Sequence, residues 1–198
     1  RPSPCFGPCS PWVGCLCKSL DLLVGQYSAG SGGSFKPSNG STPRIDIISW
    51  KPRVFYYHNI LSVEEANHII ELGKNDVTRS MVVGKNGQSV VNEARTSYGV
   101  FMTRYQNDPV LRALEKRIEL WTQIPASHGE IFYLLRYENG QEYKPHTDWF
   151  RRDKDGEIYM GNQGQRIATV LTYLADVEEG GETFFPNADT AGLQVNPK

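Results

Sequence analysis

The residues with the clearest chemical potential lie in "EYKPHTDWF", residues 142–150. His146 and Asp148 are separated by Thr147 alone, and on a strand residues two apart project from the same face. An imidazole and a carboxylate side by side are two of the three ligands of a 2-His-1-carboxylate facial triad, which holds Fe(II) and keeps coordination positions open. Neutral imidazole holds the divalent ion, and the carboxylate lowers the net charge of the site. The same pair also suits an ordinary polar patch on a strand, so the surrounding sequence has to separate the two readings.

The elements that must position the pair begin near residue 43. "RIDIISW" and "RVFYYHN" read as strands, separated by Lys51-Pro52. Ser62 followed by Glu65 is a capping box, and Val63, Ala66, Ile69 and Ile70 then recur at helical spacing as far as about Lys74. "RSMVVGKNGQSVVNEARTSYGVFM" alternates like strands around an Asn86-Gly87 hairpin turn. Asp108-Pro109 places a cap and a first-turn proline at the start of a second helix. Leu111, Leu114, Ile118 and Trp121 form its apolar stripe, which ends before Pro125. Beyond it the pattern becomes β-prone: "EIFYLLRYE", then a turn at Asn139-Gly140, then "EYKPHTDWF" as a second strand. A polar loop, "RRDKDGEIYMGNQGQ", leads to the strand "RIATVLTYLADV", the turn "EEGGE", the short strand "TFFP" and the start of another in "LQVNPK". Two helices followed by a run of strands predict an α+β domain with a β-barrel or sandwich core.

The sequence has 198 residues, with 21 Lys and Arg against 22 Asp and Glu. No overall field favours nucleic acid or an anionic membrane. No apolar run is long enough to span a bilayer. Residues 25–43, "GQYSAGSGGSFKPSNGSTP", have the composition of a flexible linker. The reading is therefore a Cys/Gly/Ser/Pro tail and linker over 1–42 and a folded domain over 43–198. All four cysteines (Cys5, Cys9, Cys15 and Cys17) fall in the tail, and their spacing does not form paired zinc knuckles. Disulfides in an oxidising compartment and uninvolved thiols are both open readings.

From Ile45 to Lys198 the sequence resembles the short-form prolyl 4-hydroxylases of plants and algae, Fe(II)- and 2-oxoglutarate-dependent dioxygenases that hydroxylate peptidyl proline. The matching blocks occur in one order: "ISWKPRVFYYHNILSVEEANHII", "ARTSYGVF", "EKRIELWTQIPASHGE", "YENGQEYKPHTDWF" and "GQRIATVLTYLADVEEGGETFFPNA". The resemblance implies a double-stranded β-helix (jelly-roll, cupin-like) core with two N-terminal helices packed on one sheet. It implies that His146 and Asp148 are iron ligands, and that Tyr137 and Thr183 hydrogen-bond the distal carboxylate of 2-oxoglutarate. It places Tyr143 and Arg166 near the bound peptide, where a guanidinium fork suits peptide carbonyls. Trp149 is an aromatic surface of the kind that takes a polyproline helix, or else a core residue.

The resemblance also implies a third ligand, a later histidine, followed by a lysine that pairs with the 2-oxoglutarate carboxylate. His58, His68 and His128 are all upstream of the pair, so the third ligand is absent from this chain. "LQVNPK" resembles the start of the strand leading to that distal half, and the expectation is a domain whose C-terminal strands are missing. The function implied is hydroxylation of proline in proline-rich proteins, coupled to conversion of 2-oxoglutarate to succinate and CO2, with Fe(II) as the metal and ascorbate as reductant. The alternative is a catalytically incomplete remnant that binds proline-rich peptide without turnover. The family's location implies the endoplasmic reticulum and Golgi.

Overall fold

A computed structural model describes residues 13–22, 44–83, 88–150, 164–177, 179–189 and 192–196. Its centre is a five-stranded antiparallel sheet. The strands that build it are β1 (Val13–Leu22), β4 (Thr78–Arg79), β7 (Tyr98–Phe101), β8 (Tyr133–Tyr137) and β9 (Gln165–Tyr173), in the order β4-β7-β8-β1-β9. Three two-stranded ribbons accompany it: β2 (Arg44–Trp50) with β3 (Arg53–His58), β5 (Val82–Val83) with β6 (Ser89–Val90), and β10 (Thr183–Phe185) with β11 (Leu193–Val195). The ribbon β5–β6 flanks the expected Asn86-Gly87 turn, which itself lies outside the described residues.

The two helices start where the sequence signals them. In α1 (Val63–Gly73) the Ser62 hydroxyl accepts from the Glu65 N–H while the Glu65 carboxylate accepts from the Ser62 N–H, closing the capping box. In α2 (Pro109–Thr122) Asp108 accepts from the N–H groups of Val110 and Leu111. Gln123, in the left-handed region at φ 60°, ends it. Arg117 of α2 forks onto the Glu65 carboxylate at 2.6 and 2.8 Å and also donates to the Ile60 carbonyl, locking the two helices together.

Both helices pack on one face of the sheet. Ala66 and Ile69 of α1 and Leu111, Leu114 and Ile118 of α2 are buried against Leu134 and Val170. Gly73 lets the helix approach closely at this junction, since a Cβ there would meet Leu134 Cδ2 at 2.5 Å and push that side chain aside. The strand alternation then sends Tyr133, Leu135 and Tyr137 of β8, and Thr169, Leu171 and Tyr173 of β9, to the opposite face. β1 confirms this phase: its register sets Cys15 against both Leu135 and Tyr173, and Cys17 against both Tyr133 and Leu171. One face of the sheet is thus core and the other is the wall of an open cleft.

Two expectations need correction. Residues 13–22 were expected to belong to a tail, yet they form the strand between β8 and β9 and pair with both. The physical reason is that β8 and β9 each present a row of backbone donors and acceptors on the facing edge, and a strand laid between them satisfies both rows. Residues 25–43, the expected linker, lie outside the described residues. The second correction is "EYKPHTDWF", which is not a strand. It pairs with residues 94–96 around a single bridge between Arg95 and Tyr143, through Lys144 N–H to the Ala94 carbonyl and Thr96 N–H to the Glu142 carbonyl. Pro145 then brings no N–H to continue the ladder. His146 and Asp148 sit on the irregular segment that follows.

Candidate active site

Leaving the ladder does not separate the pair. His146 Nε2 lies 3.1 Å from Asp148 Oδ1, so the two side chains converge as a strand would have made them. Each is held from a second direction. His146 Nδ1–H donates to the Lys144 carbonyl at 2.8 Å, which directs Nε2 at Asp148. Asp148 Oδ2 accepts the Thr169 hydroxyl at 2.6 Å, reaching across from β9. The Tyr143 ring stacks on the imidazole at 3.7 Å and 24°. The Arg95 guanidinium also lies over the Tyr143 ring, 4.6 Å from its centroid, and 5.0 Å from that of Tyr133. Arg95 Nε is buried without a hydrogen-bond partner among the described residues. Two aromatic faces supply the cation with favourable contact in its place.

The electrostatics of the pair follow from these contacts. Burial pulls the His146 pKa down, but the hydrogen bonds to Asp148 and the Lys144 carbonyl outweigh it, and the imidazole titrates above its ordinary value. The His146 hydrogen bond holds Asp148 below the ordinary carboxylate range against the opposing effect of burial, and the Thr169 hydroxyl adds to it. In the metal-free pair each shift favours the charged form, and the Nε2 atom that faces Asp148 is the one a metal ion would use.

A second cluster lies on the same cleft wall. Tyr173 OH and Thr183 Oγ1 are 2.7 Å apart, tying β9 to β10. Thr169 and Tyr173 project from the same face of β9, so a single strand holds both the Asp148 carboxylate and the Thr183 hydroxyl. Tyr137, at the end of β8, is on that face too. The remaining residues divide. Trp149 is 51% exposed, which places it on the surface beside the cleft and not in the core. Arg166 forks onto Glu130 at 2.5 and 2.8 Å and lies over the Phe150 ring at 4.7 Å. Its fork is thus engaged by a carboxylate.

Residues 132–198 match the 2OG-Fe(II) oxygenase superfamily. Across a longer span, the chain is 50% identical over 145 residues to the probable prolyl 4-hydroxylase 10 of Arabidopsis thaliana, covering 73% of this chain and 48% of that protein. It is 46% identical over 171 residues to the probable prolyl 4-hydroxylase 6 of the same plant, covering 85% and 56%. It is 47% identical over 145 residues to its prolyl 4-hydroxylase 5, covering 73% and 48%. Over most of its own length the chain is thus similar to plant prolyl 4-hydroxylases. It spans about half the length of the curated relatives it matches.

The superfamily is named for Fe(II) and 2-oxoglutarate, and the His146–Asp148 pair fits the metal. An imidazole nitrogen and a carboxylate oxygen converge on one point, and each has its outer atom held by a partner that fixes its direction. Among the described residues no group of three or more His, Cys, Asp and Glu comes together, so the pair is two ligands and no more there. Thr169, Tyr173 and Arg95 were not singled out in the sequence. Thr169 and Tyr173 carry one signal, their shared parity in "RIATVLTY"; Arg95 has none, because its two rings come from segments remote in sequence.

Proposed function

We infer that the protein hydroxylates peptidyl proline at C4 in proline-rich proteins, coupled to oxidative decarboxylation of 2-oxoglutarate to succinate and CO2. The observation that carries this reading is the convergence of His146 Nε2 and Asp148 Oδ1 at 3.1 Å in a cleft that also holds Thr169, Tyr173 and Thr183. In this reading the sheet is part of a jelly-roll, the double-stranded β-helix, with α1 and α2 packed on its outer face. No helix among the described residues is long and apolar enough to cross a membrane. A place in the endoplasmic reticulum and Golgi rests on the family resemblance.

His146 and Asp148 would hold Fe(II), which with 2-oxoglutarate and O2 supplies the oxidising power that turns a proline C4–H into C4–OH. The chain's own residues bind and orient. Thr183, itself oriented by Tyr173, and Tyr137 offer hydroxyl donors to the distal carboxylate of 2-oxoglutarate. Tyr143 holds the imidazole plane by stacking, and Trp149 offers an aromatic surface to an extended proline-rich segment. Arg166 keeps Glu130 fixed at the cleft edge and presents its outer face to the peptide. Ascorbate would be the reductant for the iron that His146 and Asp148 would hold.

The test uses the full-length protein with Fe(II), 2-oxoglutarate, ascorbate and a proline-rich peptide. Succinate release matched one-for-one by peptide carrying one added oxygen atom supports the reading, and His146→Ala should abolish both. Peptide binding with no succinate above the His146→Ala background would instead favour a binding module without turnover.

A further inference from the structure

Asp148 has two oxygens, and the structure uses them differently. Oδ1 faces His146 Nε2 at 3.1 Å, whereas Oδ2 accepts the Thr169 hydroxyl at 2.6 Å. The second distance is that of a charge-assisted O–H···O⁻ bond. The donor stands on β9, in the ladder of the central sheet, 21 residues from its acceptor. Asp148 itself is on an irregular segment outside any strand, tied to its surroundings by the Arg95–Tyr143 bridge before it and by the Phe150–Gln165 hydrogen bonds after it. The threonine is thus held in a strand ladder, whereas the carboxylate stands on backbone that has none.

A carboxylate binds a divalent cation through one oxygen or through both. Binding through both fills an extra position in the coordination shell, which an open site cannot spare. Thr169 is β-branched, so its χ1 is stiff and its hydroxyl direction is set by the strand. With Oδ2 engaged by that hydroxyl, only Oδ1 is directed to the point shared with His146. Resting on the metal reading above, we propose that Thr169 is a positioning residue that confines Asp148 to metal binding through one oxygen and so keeps a coordination position clear for the co-substrate. Thr169 touches neither the metal nor the peptide; it acts through Asp148.

The experiment uses Mn(II) as the probe, with full-length protein and no peptide. Water-proton relaxation counts exchangeable waters on the bound ion, and a titration with 2-oxoglutarate gives co-substrate affinity. Thr169→Val keeps the shape and removes the donor; it should lose one exchangeable water and weaken 2-oxoglutarate about tenfold, the scale on which outer-shell partners act. Thr169→Ser should restore both. If the valine variant does not fold, Thr169→Ala gives the same readings without added bulk. A valine or alanine variant with the wild-type water count and co-substrate affinity overturns the proposal, even if its melting temperature falls, because the bond then only ties a loop to the sheet. Mn(II) binding in the wild type that is absent or insensitive to His146→Ala overturns the metal reading, and the proposal with it.

Discussion

The Tyr143 ring lies 3.7 Å from the His146 ring at an angle of 24°, so the imidazole has a flat partner on one side while its two nitrogens are held by Lys144 and Asp148. Stacked rings of this kind contribute about 0.5–1.5 kcal/mol beyond area burial. Tyr143→Leu should therefore weaken Mn(II) binding by roughly two- to tenfold, and Tyr143→Phe should leave it near wild type. Electron paramagnetic resonance titration reads both. Equal affinity in the leucine variant would show that stacking does not orient the ligand.

Metal affinity should depend on pH through His146. Its pKa is raised in the folded, metal-free protein, and a metal must displace the proton on Nε2. Below the folded pKa, affinity should therefore fall by about one decade per pH unit, with one proton released per ion bound. Asp148, held low, stays ionised through the same range and adds no slope. The sign for stability without metal is the reverse. A raised histidine pKa stabilises the fold below the unfolded value, and that contribution is lost as pH rises through the folded value. Both groups are more than a third exposed, so solvent screening keeps the effect small. Calorimetric titrations at several pH values in buffers of different ionisation enthalpy would reveal a flat profile if the mechanism is wrong.

Gly99 makes room for the wall on which Arg95 rests. A Cβ there would meet the Tyr133 ring and hydroxyl at 2.7 Å and the Leu134 carbonyl at 2.9 Å. Tyr133 also donates to Ser80 at 3.1 Å, within a buried hydroxyl cluster that includes Ser97. Gly99→Ala should cost about 1–3 kcal/mol by overpacking. It should also shift Tyr133 off Ser80 and Arg95, visible as a changed Tyr133 ring environment in NMR spectra. A melting temperature equal to wild type would mean the strand yields at no cost.

Arg117 and Glu65 join the two helices behind the sheet, with side chains 13% and 18% exposed. Arg117→Met would take the cation from the Glu65 carboxylate, which keeps the Ser62 N–H, and would release the Ile60 carbonyl. The loss should be about 3 kcal/mol, read as a lower denaturation midpoint with unchanged slope. Because neither residue reaches the cleft, Mn(II) affinity in the folded variant should stay within about twofold of wild type, since distant sites are close to additive.

Local chemistry was enough to specify much of this protein. Ser62 with Glu65, and Asp108 with Pro109, define helix starts because capping involves only residues within one turn. The spacing of His146 and Asp148 keeps them close in the chain, but the strand that was to pair them ends at Pro145, and the Lys144 carbonyl and Thr169 hydroxyl hold them together instead. Thr183 and Tyr137 came from the family resemblance, and the fold brings both to one cleft wall. What the tertiary structure alone decided depends on long-range pairing. The strand at residues 13–22 has weak local signals, and it exists because β8 and β9 each present an edge that needs a partner. Thr169 finds Asp148, Tyr173 finds Thr183, and Arg95 finds two tyrosine rings for the same reason. Sheet register, a property of strands distant in sequence, determines which hydroxyl or ring a side chain meets, and no window of neighbouring residues contains it.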